Sequence, residues 1–329
     1  MLSTILVPLD SSPAAATALP VARALASALD ARISLLRVVG RPGESFETHR
    51  SELREAESCL NRVARELASS GARVSTNVRF GDVSVAILQE IVDLGADLVV
   101  MATHGQTGKV DSAHDGTATE IVSQSTVPVV LQRADGRTIR AIKKILVPID
   151  RSPEGALALG SAADLAHATG AHLAILEVVE PVPLWAYEAS ESSNFGRYIA
   201  PSWEMSALGG AERHVEGLVA QLREQGISAS GSAVVGDVTR TIAGAAEHVA
   251  ADLIVVGTPA YTNSTRAMLN SLGCAVARPA HSPVLVMQFI DRFATPARGL
   301  RHPAPSHSAG QSTWIRDIPR GRARLCLTT

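Results

Sequence analysis

The chain has 329 residues, 46% of them hydrophobic, which is enough for two domains with buried cores and excludes a largely disordered protein. A formal net charge of −2 argues against a nucleic-acid binder driven by phosphate neutralisation. Cys59, Cys274 and Cys326 fit no metal spacing and read as reduced thiols of a cytoplasmic protein.

The N-terminal run "MLSTILVPLDSS" carries no basic stretch and meets Asp10 too early for a secretory leader. No apolar run approaches the roughly 20 residues of a membrane span, so no membrane partner is expected. Short Val/Ile/Leu runs at 4–9, 33–39, 73–79, 97–101 and 127–131 lack polar alternation, as strands buried on both faces do. Ala-rich amphipathic stretches at 13–29, 50–69, 84–94 and about 116–125 separate them. This alternation predicts a parallel sheet with right-handed crossovers and helices on both faces. After the first strand, Ser12 and Pro13 stand at good cap and first-turn positions for a helix.

The pattern then returns. "TILVPLDSS" (4–12) reappears as "KILVPIDRS" (144–152), and "ISLLRVV" (33–39) as "LAILEVV" (173–179), both 140 residues on. "GDVSVAI" (81–87), "ADLVVMATHG" (96–105) and "VPVVLQ" (127–132) reappear 155 residues on. One domain has been duplicated, with about fifteen extra residues after Val179 in the second copy. The expected division is 1–133 for the first domain, 134–142 for a linker within "RADGRTIRAIK", 143–290 for the second domain, and 291–329 for a disordered basic tail. The insertion, 181–205, carries Trp185, Tyr187, Phe195, Tyr198 and Trp203. It reads as a long loop that packs on the other repeat or a partner, or closes over a ligand.

In an open parallel sheet, ligands bind beyond the carboxyl ends of the strands where strand order reverses. In the first repeat that places Pro8, Leu9 and Asp10 beside Val38 and Met101. Asp10 either accepts hydrogen bonds from the sugar or amino groups of a nucleoside or caps the first helix. Val38 and Met101 either wall a flat ring or belong to the strand-end core. Gly105 and Gly108 let backbone N–H groups face an anion, and Gly116-Thr117 opens a helix whose first N–H groups are unpaired. "MATHGQTGKV" (101–110) is not a Walker loop: Thr103 stands at the first glycine position and Val110 follows Lys109. His104 has neither a second metal ligand nor a nucleophile beside it, so a hydrogen bond to a nucleotide suits it better than catalysis.

Taken in order, "ILVPLDSS", "GDVSVAIL", "ADLVVMATHGQTG", "GTATEIV" and "VPVVL" resemble the universal stress protein family, and the second repeat resembles it again. The resemblance implies an α/β protein of two tandem flavodoxin-like, Rossmann-like sandwiches, each with a five-stranded parallel sheet. It implies a cytoplasmic stress-response regulator that is at most a slow ATP hydrolase and has no metal site of its own. It also implies pairing between the two repeats, a homodimer, or both. One branch of the family holds ATP through Gly, two residues, Gly, nine residues, then Gly and Ser or Thr; another branch binds none and acts through interactions. Carried across, the first repeat keeps Asp10, Val38, His104, Gly105, Gly116 and Thr117. Ala102 stands at the first glycine and the second gap is ten residues instead of nine. The second repeat keeps Asp150, Val178 and Gly257 and has Ser271 at the last position, but Pro259, Ala260 and Asn270 replace the intervening residues. The expected cofactor is ATP, with AMP or ADP as alternatives and with or without Mg2+. It is expected in the first repeat before the second.

Overall fold

The structure, a computed structural model, describes residues 3–40, 46–103, 116–181, 196–259 and 272–289. The first half runs β1 (Thr4–Pro8), α1 (Pro13–Ala16), α2 (Ala18–Leu29), β2 (Arg32–Val39), α3 (Phe46–Ser69), β3 (Val74–Phe80), α4 (Val83–Leu94), β4 (Leu98–Ala102), α5 (Thr117–Gln124) and β5 (Val129–Gln132). The second half runs β6 (Lys144–Ile149), α6 (Pro153–Thr169), β7 (His172–Val179), α7 (Gly196–Glu224), β8 (Ala229–Val235), α8 (Val238–His248), β9 (Leu253–Pro259), α9 (Leu272–Ala277) and β10 (Val284–Phe289).

Each half is a five-stranded parallel sheet, in the order β3-β2-β1-β4-β5 and its counterpart β8-β7-β6-β9-β10. The two last strands lie antiparallel, Val130 opposite Leu285 and Val129 opposite Val286, so the halves form one ten-stranded sheet. Successive strand residues face opposite sides. Ile5, Val7, Ile33 and Leu35 pack with α2 and α3, whereas Leu6, Leu36, Val99 and Leu131 pack with α4 and α5. The junction keeps these faces aligned: Val130 and Leu285 join the first cluster, and Val129, Leu131, Val284 and Val286 the second. Both cores therefore run continuously across the two halves.

The helix starts follow from local chemistry. Ser12 caps α1 by accepting from Ala15 N at 3.0 Å, with Pro13 in the first turn, and Ser152 does the same for α6 at Gly155 N. The repeated Gly-Asp pairs have structural work: Asp82 and Asp237 each accept an N–H from the residue three positions on, capping α4 and α8. Gly81 supplies a φ of +113° just before the first of them.

The observed elements correct the sequence reading in two places, the first helix and the insertion. The helix expected over 13–29 is broken at Thr17, whose Oγ1 donates to the Ala14 carbonyl at 2.6 Å, with Pro20 in the first turn of α2. The stretch 134–142, expected as a linker, packs down on the molecule. Ile139 and Ile142 are buried in the core, and Arg137 donates to the carbonyl of Ala251 and pairs with Asp252. The insertion is not a loop throughout, because 196–205 forms the first turns of α7, with Trp203 and Met205 exposed. Pro201 and the aromatic residues gave that stretch a loop-like composition, and the long amphipathic helix behind it carried the helix through them. Trp185, Tyr187 and Phe195, and the tail 291–329, lie outside the described residues. Among the described residues no helix is long and apolar enough to cross a membrane.

Candidate functional site

Strand order reverses at β1, which pairs with β2 on one side and β4 on the other. The carboxyl ends of these three strands meet there, as the topology of open α/β sheets requires of a ligand crevice. Leu9 N donates to the carbonyl of Leu36 at 2.8 Å, carrying the ladder one residue past β1 and setting Pro8 and Leu9 at its rim. Asp10 follows. One of its carboxylate oxygens accepts from Ser12 N at 2.9 Å, which closes a tight turn in which Ser11 takes a φ of +64°. Ser12, not Asp10, caps the helix. The carboxylate is thus held at the strand end by its own loop.

Val38 and Met101 both face the α4 and α5 side of the sheet. Met101 is buried in that core, whereas Val38 is half-buried and Ala102, at the end of β4, is half-buried too. Gly116 is the N-cap residue of α5, is exposed, and makes no side-chain cap. Its carbonyl accepts from Thr119 N and Glu120 N, which leaves the N–H groups of Thr117 and Ala118 without partners inside the helix. An anion suits such a start. Thr117 is the first residue of α5. His104, Gly105 and Gly108 lie outside the described residues, as does Ser271.

The second half repeats the frame with different content. Ser152 N donates to Asp150 at 3.0 Å, and the Ser152 hydroxyl also bonds that oxygen. Val178 is half-buried on the face that Val38 occupies in the first half. Gly257, at the motif's first glycine position, is needed for packing: a Cβ there would stand 2.0 Å from the Glu154 carbonyl oxygen at the start of α6. Its missing side chain makes space for a helix, not for a ligand. The matching helix of the first half is the one broken at Thr17, and there β4 carries Ala102.

A model of the universal stress protein family matches residues 1–133 and 141–288. The chain belongs to the universal stress protein family. Its members serve in the response to stress, and two matched segments in one chain make this a tandem member. Two solved structures agree on the fold over most of the chain. A universal stress protein from Archaeoglobus fulgidus DSM 4304 is 17% identical over 88% of this chain and 98% of its own, with a TM-score of 0.69. A putative one from Pseudomonas aeruginosa UCBPP-PA14 is 20% identical over 87% and 93%, with a TM-score of 0.59. A family protein from Arabidopsis thaliana, solved with AMP bound, is 16% identical over 40% of this chain and 91% of its own, with a TM-score of 0.30. No curated protein matches the chain.

Two residues escaped the sequence reading although a signal was there. Arg37 interrupts the apolar run "ISLLRVV", and Glu177 interrupts "LAILEVV" at the same place. A charge at one fixed position of two interior strands marks a polar spot near their carboxyl ends.

Proposed function

We propose that this universal stress protein is a stress-response regulator that binds an adenine nucleotide, ATP first, in its first half. The observation that carries the reading is a convergence at one end of the sheet: the Asp10 carboxylate, the half-buried Val38 and the uncapped start of α5 at Gly116. Asp10 suits the hydroxyl and amino groups of the nucleoside, and the first N–H groups of α5, which have no partner inside the helix, suit a phosphate. Mg2+, where present, would accompany the phosphates. The second half fits less well, because Glu154 occupies the space beside Gly257 and Pro259 has no N–H to offer. The two halves, divided as 1–133 and 143–290 about the linker, then act as a binding domain and a structural partner in a cytoplasmic protein.

Titration calorimetry of the whole chain with ATP and Mg2+ tests this. Asp10→Ala should weaken binding by roughly 10- to 100-fold, the loss expected for a hydrogen bond to a charged group. Asp150→Ala should leave it within about twofold. Absence of heat and of any thermal shift with ATP, ADP or AMP would overturn the proposal. A second reading, a module of the same fold that binds no nucleotide and works by binding another protein, is favoured by the exposure of Trp203 and Met205 on α7. It predicts that Trp203→Ala abolishes partner capture while the fold stays intact, and that calorimetry finds no nucleotide binding.

A further inference from the structure

Behind the β1 end, on the α2 and α3 side, the first half contains a cavity of about 80 Å³. Its walls are apolar, formed by Leu9, Leu19, Leu60 and Val63. Its polar lining is Ser11, Ser12, Arg37, Cys59 and Arg62. Arg37 and Leu9 face away from Val38 and Met101, which lie on the opposite face of the sheet, so this cavity is separate from the proposed nucleotide crevice.

The cavity's charge is unbalanced. Arg37 Nη1 reaches the Leu9 carbonyl only at 3.5 Å, and its Nε is buried without a partner. Arg62 Nη2 stands 3.9 Å from Cys59 Sγ, which the Ser11 hydroxyl also approaches at 3.6 Å. Among the described residues neither guanidinium meets a carboxylate.

The second half shows what completes this arrangement. Its matching walls are apolar as well: Ile149, Leu159, Val215 and Leu218. Its polar positions have changed together. Glu177 replaces Arg37, His214 replaces Cys59, and Arg151 replaces Ser11. Glu177 is 8% exposed, with Oε2 2.6 Å from His214 Nδ1 and Oε1 3.9 Å from Arg151 Nε. The frame therefore holds a carboxylate against a histidine and an arginine in the second half, whereas in the first, among the described residues, it holds two guanidiniums without a carboxylate, Arg62 standing where the second half has Gly217.

We infer that the first-half cavity binds a small aliphatic carboxylic acid, with Arg37 and Arg62 holding the carboxylate and the Leu19, Leu60 and Val63 wall holding its short chain. A planar carboxylate presents two oxygens to a guanidinium fork, which would satisfy the orphaned Nε. The apolar wall is short, three side chains of α2 and α3, so it suits a chain of a few carbons. The half-buried Cys59 lies against the bound anion and reports on it.

The test is alkylation of Cys59 by iodoacetamide in the full chain, followed by peptide mass spectrometry, with buried Cys274 as the control for global opening. Butyrate at ten times its dissociation constant should slow Cys59 alkylation about tenfold by mass action. Butyramide, which lacks the charge, should not. Arg37→Met should abolish the protection while Cys59 remains reactive, and Arg62→Gln should weaken it. Equal protection by butyramide, unchanged protection in Arg37→Met, protection by inorganic phosphate or ATP but not by butyrate, or no protection at 100-fold excess over protein in the millimolar range would each overturn the assignment. Because ATP is a separate arm, this outcome is independent of nucleotide binding in the crevice.

Discussion

At the scale of single residues, the internal repeat separates what a position does for the fold from what it does for a ligand. Gly257 and Ala102 occupy the same motif position, and at Gly257 a Cβ would run into the start of α6, whereas the first half carries one at Ala102. Gly257→Ala forces a Cβ into the Glu154 carbonyl and should destabilise the chain by about 2 kcal/mol, the usual cost of overpacking. Ala102→Gly should cost less than about 1 kcal/mol, the conformational entropy of a strand glycine. Urea melts of the two variants give the comparison, and equal midpoints would contradict it. His172 gives a pH prediction at the same scale. Burial lowers its pKa from 6.5, and the nearby charges of Lys144 and Arg223 lower it further. The neutral ring is instead bridged between the hydroxyls of Ser228 and Ser230, at 2.8 and 2.7 Å. The unfolded chain therefore holds the proton more tightly than the folded one. Stability is fully present above pH 6.5 and is lost as the pH falls from there through the lower folded-state value. His172→Gln should flatten the decline, measured as the denaturation midpoint between about pH 7.5 and 5. An unchanged slope would place the effect elsewhere.

At the scale of elements, the edge strand β3 is tied to α4 by a polar cluster as well as by packing. Glu90 on α4 is buried to 3% exposure. Both its oxygens accept from Asn77 Nδ2, at 2.9 and 3.0 Å, and Oε2 stands 2.6 Å from Arg79 Nε. Arg79 also reaches Asp93 at 2.6 Å, and these two acceptors, Asp93 before Glu90, raise its pKa above the ordinary arginine value. Arg79→Met leaves Glu90 buried beside a neutral amide and should cost about 2–3 kcal/mol, below the full value for a buried pair because Arg79 is partly solvated. Adding Glu90→Gln should recover most of that loss, and a double-mutant cycle from chemical denaturation tests the recovery. The elements themselves were largely legible. Strands 33–39 and 97–101 announced themselves as unbroken apolar runs, and Ser-Pro marked both first helices, because those signals act locally. The break at Thr17 has a local cause that the reading passed over: Pro20 has no N–H for the Ala16 carbonyl and its ring crowds it, so a continuous helix cannot run through and α2 starts afresh with Pro20 in its first turn. Two features were not legible because their causes are not local: helix 196–205 is carried by the amphipathic run that follows it, and the burial of Ile139 and Ile142 depends on a core assembled from both halves. Of the candidate site, Asp10, Val38 and Gly116 could be placed at one end of the sheet from topology alone. The role of Gly257 required the position of Glu154, and the pairing of Glu177 with His214 required a helix 37 residues away in the chain.

At the scale of the whole molecule, the decisive contact is the antiparallel seam between β5 and β10. Three residue pairs cross it, and all six side chains are buried: Leu131 with Val284, Val130 with Leu285 and Val129 with Val286. Alone, each half would expose an edge of unpaired backbone groups along an apolar strand. Joined, the two halves share both cores, one on each face of the ten-stranded sheet. Arg133, the last residue before the linker, adds to the seam from outside, its Nη1 donating to the carbonyls of Arg278 and Pro279 at 3.0 and 3.1 Å. Shared cores couple unfolding, so scanning calorimetry should show one transition with equal calorimetric and van't Hoff enthalpies. Val130→Pro removes a backbone donor from the β4–β5 ladder, because Val99 N donates to the Pro128 carbonyl and alternate residues of β5 therefore face β4, and it places a rigid ring in the strand that forms the seam while leaving the second half's sequence intact. That variant should split the transition in two. The lower one should be the first half, which has lost its own last strand, and the upper one the second half, still closed by pairing of β10 with β9. A single transition, merely shifted down, would show instead that the linker and the helices hold the halves together without the strands.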